Sequence, residues 1–206
     1  MLPGAGMRAN EFAAHEMISA LQCQAAAVDI VVLELDIGLY LEENRVADVL
    51  HEQAILPALT QGYQRIWLLG ISLGGMGALL YASVYSTYIE GLFLLAPFLG
   101  TRGTMAALAN AGGFDFALRD VTMTTAEQSV LEWIASYLAK EKGANLKLYL
   151  GYARQDRFSS GQKLLAGCLP AEDVSVQNGD HDWPTWKTLW YDLLSRSPFL
   201  KTADDA

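Results

Sequence analysis

Ile66-Trp-Leu-Leu-Gly-Ile-Ser-Leu-Gly-Gly-Met-Gly-Ala-Leu-Leu80 passes from an apolar run with strand character straight into a run of helical periodicity, and Ser72 stands at the junction. The spacing around it is Gly-x-Ser-x-Gly. A turn sharp enough to lift a serine hydroxyl above the end of a sheet strains the serine backbone and crowds the positions two before and two after it. Gly70 and Gly74 relieve that crowding, while Gly75, Gly77 and Ala78 let the helix pack closely on its strand. The helix N-terminus points backbone N–H groups and the positive end of its dipole toward charge developing near Ser72, which makes the Leu73 N–H a candidate oxyanion donor. A tight Gly-rich turn without chemistry is the alternative; the strand before and the helix after favour a nucleophile.

Working outward, apolar and β-branched runs alternate with longer helical patterns, the form taken by a mostly parallel sheet flanked by helices, so the expected class is α/β. Strands are predicted at Val28 to Leu35, Arg65 to Ile71, Gly91 to Leu95, Leu146 to Gly151 and Asp173 to Val176. Helices are predicted at Asn10 to Gln24, Asn44 to Gln61, Gly74 to Tyr85, Thr125 to Lys142, Ser159 to Gly167 and Trp183 to Ser195. Asn10 and Asn44 stand where N-caps belong, and Gly62, Gly143 and Gly167 where a helix end needs a residue tolerant of positive φ. The segment from about 99 to 124 is too long for a simple connection. It reads as a small cap-like insertion over the site, with a short helix near Met105 to Asn110, in an otherwise single domain spanning 1–206.

The stretch Gly70-Ile-Ser-Leu-Gly-Gly75 resembles the nucleophile elbow of the α/β-hydrolase superfamily, and the resemblance extends from Leu2 to about Leu194. It implies an acyl-transfer site in which the nucleophile comes first in the chain, the acid second and the histidine last. A serine hydroxyl needs a base that titrates near neutrality, and the chain has three histidines. His15 and His51 fall inside predicted helices, where a structural role on an amphipathic face is expected. His181 lies in the polar loop Asn178-Gly-Asp-His-Asp-Trp-Pro-Thr-Trp186, where the resemblance places the catalytic histidine; Trp183 and Trp186 are expected to pack the last helix and fix this loop.

The imidazole needs a carboxylate on its other nitrogen. Asp156, in the loop Tyr152-Ala-Arg-Gln-Asp-Arg-Phe158 between a strand and a helix, matches the acid position of the family. Asp180 and Asp182 adjoin His181 and cannot easily turn back onto its ring. Arg154 and Arg157 flank Asp156 either as influences on its charge or as solvated cations. A second oxyanion donor is expected from the loop Leu2-Pro-Gly-Ala-Gly6, which resembles the family's donor loop; Ala5 is the first choice and Gly6 the neighbouring alternative. A flexible glycine-rich terminus is the structural alternative. The family enters this loop from an apolar strand, whereas Met1 and Leu2 alone precede it here. The sheet is thus expected to be N-terminally abbreviated, with the 28–35 strand lying directly against 65–71 or with another chain filling the gap. By analogy of fold, Asp36 and Tyr40 are expected to line the pocket.

Composition narrows the remaining classes. With 206 residues, 52% hydrophobic, the chain can bury one sizeable core. A formal charge of −9 repels a polyanion, so nucleic acid is not an expected partner, and the scattered acidic residues serve solubility. Cys23 and Cys168 have no metal-ligand or disulfide spacing and are expected to be buried thiols. No metal or organic cofactor is implied. The sequence shows neither a leader pattern nor an apolar run of about 18 residues, so no membrane span and a cytoplasmic location are expected.

The expected activity is hydrolysis of a carboxylic ester through an acyl-Ser72 intermediate, on a small-molecule substrate, by a chain that could form a homo-oligomer. A thioesterase or amidase using the same groups is the alternative enzyme, and a catalytically silent binding protein of the same fold is the alternative outside catalysis.

Overall fold

The computed structural model describes residues 1–24, 28–42, 44–114, 122–141, 143 and 145–197. Four strands, β1 (Trp67–Ile71), β2 (Gly91–Leu95), β3 (Lys147–Ala153) and β4 (Val174–Gln177), form a parallel sheet in the order β1-β2-β3-β4. In register, Trp67 faces Gly91, Gly91 faces Lys147 and Leu150 faces Val174. Parallel neighbours need crossovers, and helices supply them. α5 (Leu73–Tyr85) links β1 to β2; α6 (Arg102–Asn110) and α7 (Thr125–Leu138) lie between β2 and β3; α8 (Ser159–Ala166) links β3 to β4. α9 (Trp183–Arg196) follows β4.

Alternation along each strand divides the core in two, because successive side chains leave opposite faces. Leu92, Leu94, Leu148 and Leu150 join a cluster with α5, α7 and the segment 45–55, while Leu69, Ile71, Phe93, Leu95 and Tyr149 pack against α9 and the N-terminal helices. In the second cluster Phe93 stacks on Tyr149 at 4.9 Å and meets the edge of the fully buried Trp190 at 5.1 Å.

Several of the predicted helices and their ends depart from expectation. The predicted helix 10–24 is two helices, α1 (Glu11–Ala14) and α2 (Met17–Gln24), broken where Glu16 takes φ 61°. The break lets Phe12 and Met17 both reach the core, and His15 stacks on Trp183 at 4.3 Å. The predicted helix 44–61 is α3 (Arg45–Leu50), a π-helical turn at His51–Ile55, and α4 (Leu56–Thr60). Pro57 explains the wide turn: its ring clashes with the carbonyl four residues back in a regular α-helix, and the π turn makes room. Neither Asn10 nor Asn44 caps through its side chain. Gly62 and Gly143 have positive φ, whereas Gly167 is right-handed at φ −66°.

Residues 28–35 form no regular strand. Met1 and Leu2 lie between this segment and β1. Leu33 N–H donates to Met1 O at 3.1 Å on one side, and Leu2 bridges Gly70 in parallel sense on the other, with Leu2 N–H to Leu69 O at 2.7 Å and Ile71 N–H to Leu2 O at 3.1 Å. Met1 also donates its N-terminal group to Val31 O at 2.6 Å. The expected direct contact of this segment with β1 is therefore replaced by contacts through Met1 and Leu2.

One further expectation fails. Both cysteines are exposed, Cys23 on the outer face of α2 and Cys168 in the turn after α8, where its thiol donates to Leu164 O. Tyr40 is buried beneath α5, its hydroxyl 2.6 Å from where a Cβ on Gly77 would stand, while Asp36 is exposed and accepts from Gly38 N–H. His51 is half-buried, bonded through Nδ1 to Tyr81 Oη at 3.0 Å and stacked on Tyr85.

The excursion after β2 is gathered at its base by Glu127. Its Oε1 accepts from Thr101 N–H and Thr104 Oγ1, and its Oε2 accepts from Thr124 N–H, so one buried carboxylate holds both ends. Thr124 completes a capping box with the same residue. Within the excursion, Met105 of α6 rests on Gly161 of α8. Residues 115–121 of the expected insertion, and residue 142 at the expected end of α7, lie outside the described residues.

Candidate functional site

At the carboxyl edge of the sheet, where open α/β sheets hold their ligands, the loops after β1, β3 and β4 converge. Ser72 joins β1 to α5 with φ 54° and ψ −115°, a conformation costly for a residue with a Cβ. The neighbours account for its persistence. A Cβ on Gly70 would stand 2.2 Å from Gly74 O, and one on Gly74 would stand 2.1 Å from Leu2 O and 2.6 Å from Pro3 O. Glycine is therefore required at both positions for closeness of backbone. Ser72 N–H donates to Leu95 O at 3.0 Å, and Ser72 O accepts from Phe98 N–H at 2.9 Å, fixing the strained residue from both sides.

The three residues expected to act together are brought together. His181 Nε2 lies 2.8 Å from Ser72 Oγ, and His181 Nδ1 lies 2.7 Å from Asp156 Oδ2. Asp156 is buried and its second oxygen accepts from Phe158 N–H at 2.7 Å, so both carboxylate oxygens are engaged. A carboxylate only accepts, which assigns the Nδ1 proton to the bond with Asp156 and leaves Nε2 as acceptor for the Ser72 hydroxyl. The imidazole is held edge-on by Phe158 at 5.2 Å and Trp186 at 5.0 Å.

The loop bearing His181 is shaped by Gly179, at φ 150°, where a Cβ would fall 2.4 Å from Thr185 Oγ1. Asp182 accepts from Thr185 N–H at 3.1 Å and so caps α9. Asp180 is exposed. Trp183 is tied through Nε1 to Glu11 at 2.9 Å, which joins the histidine loop to α1. Arg154 and Arg157 form no ion pair with Asp156; the Arg157 guanidinium instead lies 4.8 Å from the centre of the Phe158 ring.

The loop expected to supply the second donor passes beside the nucleophile, since a Cβ on Gly4 would stand 3.2 Å from Ser72 Cβ. Met7 N–H donates to Gly4 O at 3.1 Å across Ala5 and Gly6, and Gly6 has φ 76°, the pattern of a type II turn. Among the described residues, the N–H groups of Leu73, Ala5 and Gly6 donate to no group of the chain.

Sequence reasoning missed Gln155, whose side chain joins the acid and histidine loops, and Phe158, whose N–H holds Asp156. Their only signal is position, beside an acid between a strand and a helix. Among the described residues no group of His, Cys, Asp and Glu could hold a metal ion, and no helix is long and apolar enough to cross a membrane.

No family model matches the sequence, and no curated protein matches it. Solved structures do. A ferulic acid esterase is similar over 97% of this chain and 82% of its own, with 15% identity and a TM-score of 0.61. The fluorophosphonate-binding serine hydrolase F of Staphylococcus aureus is similar over the same shares, with 13% identity and a TM-score of 0.62. A monoacylglycerol lipase of Paleococcus ferrophilus is similar over 95% of this chain and 93% of its own, with 14% identity and a TM-score of 0.55. This likeness establishes the fold, which is that of the α/β-hydrolases.

Proposed function

We propose that the chain is a serine hydrolase that cleaves a carboxylic ester. The observation that carries the reading is the continuous relay Ser72 Oγ–His181 Nε2, His181 Nδ1–Asp156 Oδ2, at 2.8 Å and 2.7 Å, with the serine on a strained elbow. Distances in that range are those at which an imidazole takes a hydroxyl proton as the oxygen attacks. In the first half-reaction Ser72 Oγ bonds to the acyl carbon, its proton passes to His181 Nε2, and the tetrahedral oxyanion is received by the Leu73 and Ala5 N–H groups, with Gly6 as the neighbouring donor. Collapse expels the alcohol, which takes the proton from His181. Water then attacks the acyl-serine, giving its proton to His181, and Ser72 leaves with that proton restored. Asp156 holds the imidazole in the required tautomer and stabilises its cationic form throughout.

The names of the similar structures, an esterase, a serine hydrolase and a lipase, support hydrolysis of an ester over thioester or amide cleavage. Covalent labelling by a fluorophosphonate probe tests the reading. Labelling of wild-type protein and its loss in Ser72→Ala, with turnover of a chromogenic short-chain ester lost in parallel and circular dichroism unchanged, is the expected result. Undiminished turnover in Ser72→Ala would remove Ser72 as the nucleophile, and folded wild-type protein that the probe does not label would favour the catalytically silent binding protein.

A further inference from the structure

Arginine pairing is divided by location in this chain. Arg8, Arg45, Arg65 and Arg196 each have a carboxylate partner, in Glu34, Glu42, Glu90 and Asp192. Arg102, Arg154 and Arg157 have none among the described residues, and all three are exposed in the segments that leave the carboxyl ends of β2 and β3. In a protein of net charge −9, carboxylates are abundant, so three unpaired guanidinium groups gathered at one edge are not explained by a shortage of partners. Among the described residues, carboxylates near that edge are engaged elsewhere: Asp156 by His181 and Phe158 N–H, Asp182 by Thr185 N–H, Asp36 by Gly38 N–H, Glu127 by Thr101 N–H and the Thr104 hydroxyl. Asp180 is the opposing charge, exposed and outside any ion pair among the described residues.

Arg157 is also preorganised. Its guanidinium lies 4.8 Å from the centre of the Phe158 ring, and that ring is 5.2 Å from the imidazole of His181 and 5.2 Å from Phe98. The two steps from Arg157 through Phe158 keep the guanidinium within about 10 Å of the imidazole. Stacking on the ring restricts the long side chain while leaving its N–H fork available, the form in which arginine recognises a carboxylate or phosphate. At physiological ionic strength the screening length is about 8 Å, so a bound anion feels this local cation more than the distant net charge.

We infer that Arg157, on the aromatic platform of Phe158 and Phe98 and with Arg154 beside it, forms a subsite for an anionic group, so that the substrate of Ser72 is an ester bearing a carboxylate or phosphate next to an apolar or aromatic portion. The inference rests on the hydrolase reading and deepens it.

Protection of Ser72 against a fluorophosphonate probe reads the subsite without needing the true substrate. Phenylacetate and benzoate are expected to slow labelling at concentrations about threefold to fivefold lower than phenylacetamide and benzamide, with the ratio shrinking as salt rises. Arg157→Gln is expected to bring that ratio to about one, and Arg157→Lys to restore part of it. Equal protection by acid and amide in the wild-type protein, or an acid preference that survives the double variant Arg154→Gln with Arg157→Gln, would overturn the inference while leaving the hydrolase reading standing. Absence of any labelling in folded protein would remove both, and is recognised by the probe alone before any protectant is added.

Discussion

Gln155 and Gly179 close the acid loop and the histidine loop upon each other: Gly179 N–H donates to Gln155 Oε1 at 2.7 Å, and Gln155 N–H donates to Gly179 O at 3.2 Å. The distance between Asp156 and His181 is thereby set by a clamp one residue before the acid and two before the base. Gln155→Ala breaks the side-chain half of the clamp at an exposed position, where loss of stability is small. Turnover is expected to fall about tenfold with KM little changed, because a loosened base is misplaced for attack without affecting substrate contacts. Steady-state kinetics on a chromogenic ester read this split, and equal kinetics for variant and wild type would deny the clamp its role.

Asp156→Asn keeps the volume of the side chain but replaces an acceptor with an amide that can donate to Nδ1. The imidazole then carries its proton on Nε2 and cannot accept from Ser72. On the triad reading, turnover falls by about 10⁴, with fluorophosphonate labelling slowed in the same sense. A loss under tenfold would show that the bond at 2.7 Å does not fix the tautomer.

Gly74→Ala places a methyl group against backbone, Leu2 O and Pro3 O, and backbone cannot rotate aside as a flexible side chain would. Leu2 is pinned to β1 through Leu69 and Ile71, so the elbow and the first loop must separate. A destabilisation of about 1–3 kcal/mol is expected by chemical denaturation, accompanied by loss of labelling at Ser72. Gly77→Ala instead displaces only the buried Tyr40 hydroxyl, so its stability cost is not accompanied by loss of labelling.

The elbow and the order of its partners were legible because each depends on local chemistry. Gly70, Ser72 and Gly74 are fixed by a turn contained in five residues, and Asp156 and His181 stand in polar loops bounded by strands of strong apolar pattern. What escaped was set by tertiary contact. The segment 28–35 has strand composition, but strand assignment depends on a partner, and among the described residues its backbone bonds to Met1 alone, through Val31 O and Leu33 N–H. The break at Glu16 answers to the packing of Phe12 and Met17 in the core, with Phe12 against Trp183, which is far away in sequence. Gln155 looked like any loop amide, since its partner lies 24 positions away.

Glu127 ties stability to pH. Burial pushes its carboxyl up, but the bonds from the Thr124 and Thr101 N–H groups and from the Thr104 and Thr124 hydroxyls outweigh burial and hold it below the ordinary glutamate value of 4.5. A carboxyl depressed in the folded state contributes stability that is present above its unfolded value and is lost as pH falls through the folded value. Glu127→Gln is therefore expected to cost about 1–3 kcal/mol near neutrality, as for hydrogen bonds to a charged group, with the gap to wild type narrowing below about pH 4.5. Urea denaturation at pH 7 and pH 4 measures the gap, and a difference independent of pH would assign the cost to packing.

Ala5 offers a way to remove one backbone donor without removing a side chain. It holds the second position of the turn Gly4–Met7, whose third position, Gly6, has φ 76°, and proline is favoured at the second position of such a turn. Ala5→Pro therefore keeps the turn and deletes the N–H, and it narrows the unfolded ensemble, so stability is retained. If the Ala5 N–H receives the oxyanion, turnover falls by about 10² to 10³ while KM and the thermal midpoint hold, since the missing bond forms only as the tetrahedral centre appears. Reaction with a fluorophosphonate slows in proportion, because its phosphoryl oxygen occupies the same place. Should Ala5→Pro retain full activity, the donor is the neighbouring Gly6, whose N–H the substitution leaves intact.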